Sequence, residues 1–69
     1  MYLIKIKGKA KIPDYVQLRD EQFTLIAYFR LDRPERALAK CGLEHKQQFI
    51  LDELAKIPFG KMHKINLND

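Results

Sequence analysis

The stretch YLIKIKGKAKI, residues 2–12, decides the fold because its apolar and charged residues alternate almost without exception. Its even positions are apolar or small, and its odd positions after Leu3 are Lys5, Lys7, Lys9 and Lys11. A period of two is typical of a half-buried β-strand, whereas a helix would distribute the four lysines around its circumference. We therefore predict a strand over residues 2–12, with its even side toward the core and a bulge or bend at Gly8.

Two more strands are expected before any helix begins. Residues 15–19 alternate weakly and predict a short strand after the turn at Pro13 and Asp14. Residues 23–31 are rich in β-branched and aromatic residues on both sides, which predicts a strand in the centre of a sheet. The side of this strand that carries Phe23, Leu25 and Phe29 is predicted to meet the helices.

Helical signals fill the next part of the chain. Residues 33–41 predict a short helix that starts with a capping box of Asp32 and Glu35. Gly42 is predicted to end it in a Schellman motif, in which Leu38 contacts Leu43. Residues 44–57 predict a second helix, which Pro58 and Gly60 stop. Residues 61–67 read either as a last strand or as a tail.

These elements predict one α+β domain over residues 1–69. Its expected architecture is a small antiparallel sheet of two to four strands with two helices packed on one face, in the order β(β)βαα(β). A chain of 69 residues has no room for a second core, and no apolar run is long enough to span a membrane. The single cysteine, Cys41, excludes a disulfide scaffold and favours a cytoplasmic protein.

The net charge of +4 lies in the first strand, because residues 1–12 contain four lysines and no acidic residue. On one side of a strand these lysines would form a row of about 20 Å, which suits the phosphates of a nucleic acid. Tyr28 and Arg30 share one side of the strand at 23–31 and would supply a stacking ring and a further cation. Sequence-tolerant binding of RNA or single-stranded DNA through Lys5, Lys7, Lys9, Lys11, Tyr28 and Arg30 is therefore one hypothesis. The other is that the lysines form a solvated face that blocks edge-to-edge aggregation, or a face that binds a protein.

The sequence predicts no catalytic residue, metal ligand, cofactor or small-molecule substrate. Cys41 and His45 are separated by Gly42, and His63 is the only other histidine, so the spacing of a metal site is absent. No motif of an activated nucleophile or a phosphate-binding loop is present. We therefore expect that the protein is not an enzyme.

A binding role follows from the small size and from the second helix. A domain this short is marginally stable alone, which favours a homodimer or a larger partner. Phe49 and Leu51 lie on opposite flanks of the apolar stripe of the helix, and Ile57 and Phe59 form an apolar elbow after it. We predict a small basic accessory or regulatory protein that binds a larger protein assembly or itself, with Phe49, Leu51, Ile57 and Phe59 at the interface.

Overall fold

The computed structural model describes residues 1–66, which form a four-stranded antiparallel sheet and two α-helices. The elements are β1 (Tyr2–Ile6), β2 (Tyr15–Arg19), β3 (Leu25–Arg30), α1 (Glu35–Lys40), a 3-10 turn (Glu44–Lys46), α2 (Gln47–Lys56) and β4 (Met62–Lys64). The strand order is β3-β2-β1-β4. The α+β architecture and its element order are thus confirmed.

The hydrophobic core lies between the sheet and the helices. Its buried residues are Leu3, Val16, Leu18, Ala27, Phe29, Leu38, Ile50, Leu54, Ile57 and Ile65. Burial of one large aliphatic side chain contributes about 1.5–3 kcal/mol, so this cluster is the main source of stability. Since all five strand residues of the cluster lie on one side of the sheet, the helices cover that side.

The prediction that the even side of β1 faces the core is wrong. Leu3 and Lys5 are buried, whereas the even-numbered residues of β1 are only half-buried. The reason lies in β2, because residues opposite each other in an antiparallel pair share a face. Leu3 pairs with Leu18 and Lys5 pairs with Val16. The apolar side of β2 therefore draws the odd side of β1 into the core.

The first strand is also shorter than predicted, because the chain bends after Ile6. A Cβ atom on Gly8 would lie 1.9 Å from the backbone oxygen of Ile12, so only glycine allows the loop to double back here. A tight turn follows, in which the Ile12 N–H donates to the Lys9 carbonyl at 2.9 Å. Ala10, inside this turn, has φ +53°. The bend expected at Gly8 is thus confirmed.

The third strand lies at an edge of the sheet, where a central position was predicted. Only Ala27 and Phe29 of β3 are buried. Phe23 and Leu25 are exposed, so the prediction that they meet the helices is wrong. The register shifts where Leu18 pairs with Ala27 and Arg19 pairs with Leu25, so Ile26 is an extra residue in β3. This shift places Leu25 on the other side of the strand from Ala27 and Phe29.

The helix ends follow the sequence at one terminus and depart from it at the other. The Leu43 N–H donates to the Leu38 carbonyl at 2.7 Å and Gly42 has φ +76°, which confirms the predicted Schellman motif. The capping box is wrong, since α1 begins after Pro34 without a side-chain cap and Asp32 instead pairs with Arg30. The last strand ends at Lys64, and Leu67 of the predicted strand lies outside the described residues.

Candidate protein-binding surfaces

No helix of the described residues covers one face of the sheet, and we call it the open sheet face. The strand register brings its residues together from all four strands. They are Tyr2, Ile4, Ile6, Tyr15, Gln17, Arg19, Tyr28, Arg30, Met62 and Lys64. Tyr28 is 53% exposed and Met62 is 55% exposed, although both have large apolar groups. The open sheet face is therefore mainly aromatic and aliphatic, with Gln17 and three cations among these side chains.

The aromatic residues of this face are held in place by one another and by a cation. The rings of Tyr15 and Tyr28 stack at 4.9 Å between centroids, with 16° between their planes. The edge of the face is fixed by Arg19, which lies 4.6 Å from the ring of Phe23 and donates to the Phe23 carbonyl at 2.9 Å. The ring of Phe23 also meets that of Tyr2 edge-to-face at 6.0 Å. Such a preordered surface loses little entropy when it binds.

Two cations of the open sheet face are paired with carboxylates of the same chain. Arg30 donates two hydrogen bonds to Asp32, at 3.0 and 2.9 Å. These bonds hold the pKa of Asp32 below its usual range and raise the pKa of Arg30. Lys64 Nζ lies 4.0 Å from Glu21, whose carboxylate also accepts a hydrogen bond from the amino group of Met1. That bond lowers the pKa of Glu21. Arg19, the third cation of this face, contacts Gln17 and the Phe23 carbonyl and pairs with no carboxylate of residues 1–66, so the face keeps a net positive charge.

A groove of about 510 Å³ lies between β3 and α1, and we call it the β3–α1 groove. Its wall on the α1 side carries Arg33, Arg36 and Lys40, and its wall on the sheet side carries Tyr28 and Arg30. Spacings of three and four residues bring side chains to the same side of a helical segment. In residues 1–66 no carboxylate forms an ion pair with Arg36 or Lys40. The groove is therefore strongly cationic.

The four lysines of the nucleic-acid hypothesis do not form one surface. Lys5 is 8% exposed on the core side of the sheet, where its Nζ donates to the Leu54 carbonyl at 2.7 Å. Lys7 lies 5.0 Å from the ring of Phe59, which Lys5 also contacts. Lys9 and Lys11 lie in the exposed loop that joins β1 to β2. Tyr28 and Arg30, the two remaining residues of the hypothesis, are on the open sheet face and apart from the lysines.

The residues of the predicted protein interface differ in how accessible they are. Ile57 is 5% exposed and belongs to the core, so a partner cannot reach it. Leu51 is partly buried against the same core. The ring of Phe59 lies 4.5 Å from the ammonium group of Lys5 and is partly covered by it. Only Phe49 of this set presents an exposed apolar side chain without such a cover.

The cysteine and the histidines occupy separate places. Cys41 packs against the core at the end of α1, where its Sγ lies 3.5 Å from the Leu38 carbonyl. His63 lies on β4, with Nε2 3.7 Å from a carboxylate oxygen of Glu53. Among residues 1–66 there is no group of three histidine, cysteine or acidic residues that could hold a metal ion. Over the same residues, no helix combines the length and apolar character needed to cross a bilayer.

Sequence reasoning missed the β3–α1 groove, although part of the signal was present. The spacing of Arg33, Arg36 and Lys40 predicts that they share one side of a helical segment. Their position beside an open strand edge depends on the strand order, which no local pattern encodes.

Comparison with known proteins adds no relative: no protein-family model, no curated protein and no solved structure matches the chain. A functional assignment therefore has to come from the geometry of the two surfaces just described.

Proposed function

We propose that this protein is a small, non-catalytic accessory protein that acts by binding protein chains, and that its open sheet face packs against the same face of a second copy. The observation that carries the proposal is the side of the sheet without a helix, on which Tyr28 and Met62 are more than half exposed. Contiguous apolar surfaces of this kind mark interaction sites in soluble proteins. Two sheets pack face to face at about 10 Å, with their side chains interdigitated.

The charge of the face favours a second copy as its occupant. Arg30 is paired with Asp32, and Lys64 lies beside Glu21, which reduces the like-charge repulsion between two such faces mainly to that of Arg19. The size of the chain supports the same assignment. A domain of about 60 residues buries only about 60% of the surface of its unfolded chain, and an added interface raises its stability through mass action.

Sedimentation equilibrium tests this proposal directly. We expect the wild-type chain to show a mass that rises with concentration toward twice 8.2 kDa. Met62→Glu places a charge in the open sheet face and is expected to shift the chain to monomer. Phe49→Glu is the matched control, because Phe49 is also an exposed apolar residue but lies on α2. Circular dichroism checks that both variants fold.

A chain that stays monomeric at concentrations used for NMR would contradict self-association through the open sheet face. Loss of the dimer in Phe49→Glu, with the dimer retained in Met62→Glu, would move the interface to the flanks of α2. That result would support the interface predicted from the sequence.

A second candidate function, sequence-tolerant binding of single-stranded nucleic acid, is supported by the stacked rings of Tyr15 and Tyr28 beside Arg30. Aromatic rings on a sheet are a common platform for bases. Fluorescence anisotropy with labelled oligouridylate tests it. A nucleic-acid site requires an affinity that falls steeply with salt and falls further in Tyr28→Ser. An affinity unchanged in Tyr28→Ser would contradict this role.

We also propose a cytoplasmic location. The support is Cys41, which is a free thiol at a half-buried position and is compatible with a reducing compartment.

A further inference from the structure

The outer edge of β3 presents backbone groups that no strand of residues 1–66 pairs. Within residues 1–66, the sheet order leaves β3 with β2 as its only neighbour. The Leu31 N–H donates to the Asp14 carbonyl at 2.9 Å, which fixes the phase of the antiparallel ladder. By the alternation of such a ladder, Tyr28 directs its N–H and C=O away from β2, and Arg30 directs its N–H the same way. An open edge of this kind is a template for a further strand.

The charges beside this edge decide which strand fits. Arg33, Arg36 and Lys40 line the β3–α1 groove, and no carboxylate in the described part of the chain neutralises Arg36 or Lys40. A second copy pairing edge to edge would bring an equal set of cations into the same groove. An acidic segment would instead meet them with opposite charge, and like charges in contact are strongly disfavoured.

We propose that the β3–α1 groove binds an extended acidic segment of a partner protein, which adds to β3 as a fifth strand and sets its carboxylates against Arg33, Arg36 and Lys40. This inference rests on the proposed function in one respect, that the protein acts by binding protein chains. It adds a second surface and the chemistry of its partner. Addition of a strand to a sheet edge is a known mode of peptide recognition, in which backbone bonds give affinity and side chains give specificity.

The spacing of the charges fits this mode. Side chains on one side of a strand recur about every 6.6 Å, and Arg36 and Lys40 are separated by about 6 Å of helical rise. Carboxylates at alternate positions of the added strand therefore come within reach of successive cations. The planar guanidinium groups of Arg33 and Arg36 suit two parallel hydrogen bonds to a carboxylate.

The edge of β3 favours a peptide over a nucleic acid in this groove. A peptide strand offers both N–H donors and C=O acceptors, so it satisfies the outward C=O of Tyr28 as well as the N–H groups. Phosphate oxygens only accept hydrogen bonds. A phosphodiester group therefore cannot donate to the Tyr28 carbonyl, and in RNA only a 2′-hydroxyl or a base could do so.

An NMR titration of the ¹⁵N-labelled chain tests the inference with a defined probe. The probe is a blocked peptide of about ten residues in which Glu alternates with Val and Thr, and its counterpart has Gln at every Glu position. We expect the Glu peptide to shift the amide signals of Tyr28, Arg30 and the residues of α1. The Gln peptide is expected to bind about tenfold more weakly or not at all.

Charge reversal identifies the cations that take part. The double variant Arg36→Glu with Lys40→Glu is expected to weaken binding of the Glu peptide at least about tenfold. The double variant Lys9→Glu with Lys11→Glu makes the same change in net charge, but on the loop between β1 and β2. It is the matched control, and we expect its affinity to stay within about twofold of wild type.

Three results would overturn the inference. They are an absence of amide shifts on β3 with the Glu peptide, equal affinity of the Glu and Gln peptides, and tighter binding of oligouridylate that produces the same shifts. None of these results bears on the proposed dimer, because sedimentation measures the mass of the chain without peptide. A monomer that still binds the Glu peptide through β3 would refute the proposed dimer and support the binding of an acidic segment in the β3–α1 groove.

Discussion

Replacement of Lys5 by methionine tests the unexpected position of β1, because the ammonium group of Lys5 ties that strand to the end of α2. Nζ donates to the Leu54 carbonyl at 2.7 Å and lies 4.5 Å from the centre of the Phe59 ring. The carbonyl groups of the last helical turn have no partner within the helix, so Lys5 satisfies one of them. It also places a positive charge at the negative end of the helix dipole.

The size of the effect follows from these contacts. A hydrogen bond that involves a charged group contributes about 1.5–3 kcal/mol to stability. Methionine keeps most of the apolar stem of Lys5 in contact with the core, and it removes the cost of burying an ammonium group, which offsets part of the loss. We expect Lys5→Met to lower the free energy of unfolding by about 2 kcal/mol. For a domain of this length, each kcal/mol corresponds to about 4–8 °C in Tm.

Urea unfolding followed by circular dichroism measures this loss, with the protein concentration held fixed because association adds to stability. Lys7→Met is the control, since Lys7 lies near the same ring but is exposed and makes no hydrogen bond to α2. We expect the control to stay within about 0.5 kcal/mol of wild type. A Lys5→Met variant as stable as wild type, or more stable, would refute the reasoning, because it would mean that the cost of burying the charge cancels the contacts it makes.

Three further predictions concern the loop after β1 and the charged pair on the open sheet face. Ala10→Gly should raise the free energy of unfolding by about 0.5–1 kcal/mol, because Ala10 adopts a positive φ that glycine tolerates. A midpoint of urea unfolding at or below that of wild type would contradict this. Gly8→Ala should lower it by about 1–3 kcal/mol, since the new Cβ would overlap the Ile12 backbone oxygen, and unchanged thermal unfolding would count against that clash. Arg30 lowers the pKa of Asp32. The ionised carboxylate therefore stabilises the fold at pH values above its ordinary pKa, and this contribution is lost as the pH falls through the lowered pKa. Urea unfolding from pH 7 down to pH 2 should therefore show a smaller acid loss in Asp32→Asn than in wild type, and equal losses would show that the pair does not stabilise the fold.

Local signals in the sequence predicted the elements well, because they act within a few residues. Gly42 and Leu43 predicted the end of α1 to within one residue, since the hydrogen bonds of a Schellman motif depend only on the chain nearby. The weak alternation of residues 15–19 was enough to find β2. The sequence predicted helices on one face of the sheet and placed Tyr28 and Arg30 together on the other face. It also assigned the lysines of residues 5–11 to that face, which is wrong, because Lys5 lies on the core side and Lys9 and Lys11 lie in a loop.

The side on which each strand packs could not be deduced from that strand alone. The even residues of β1 are more apolar than the odd ones, yet Leu3 and Lys5 face the core because Val16 and Leu18 of β2 do. A lysine in the core is tolerated here because its long stem reaches a carbonyl at the end of α2. That partner is 49 residues away in the chain, which no periodic pattern reveals.

The edge position of β3 was missed for a related reason. Its composition resembles that of a central strand, but strand order depends on where the chain returns after the helices. Residues Met62–Lys64 return beside β1, so the opposite edge of the sheet is left to β3. Because β3 is left at this edge, the β3–α1 groove lies beside an unpaired strand. The cations of the groove could therefore be recognised as a binding surface only in the folded chain.

The association of two open sheet faces is tested most directly by NMR on a mixed sample, in which ¹³C-labelled and unlabelled chains are combined and only contacts between the two kinds of chain are recorded. We predict intermolecular contacts of the side chains of Ile4, Tyr28 and Met62, because these lie on the face without a helix. Contacts that instead involve Phe49 and Leu51 would contradict it, and so would a sample without any intermolecular contact.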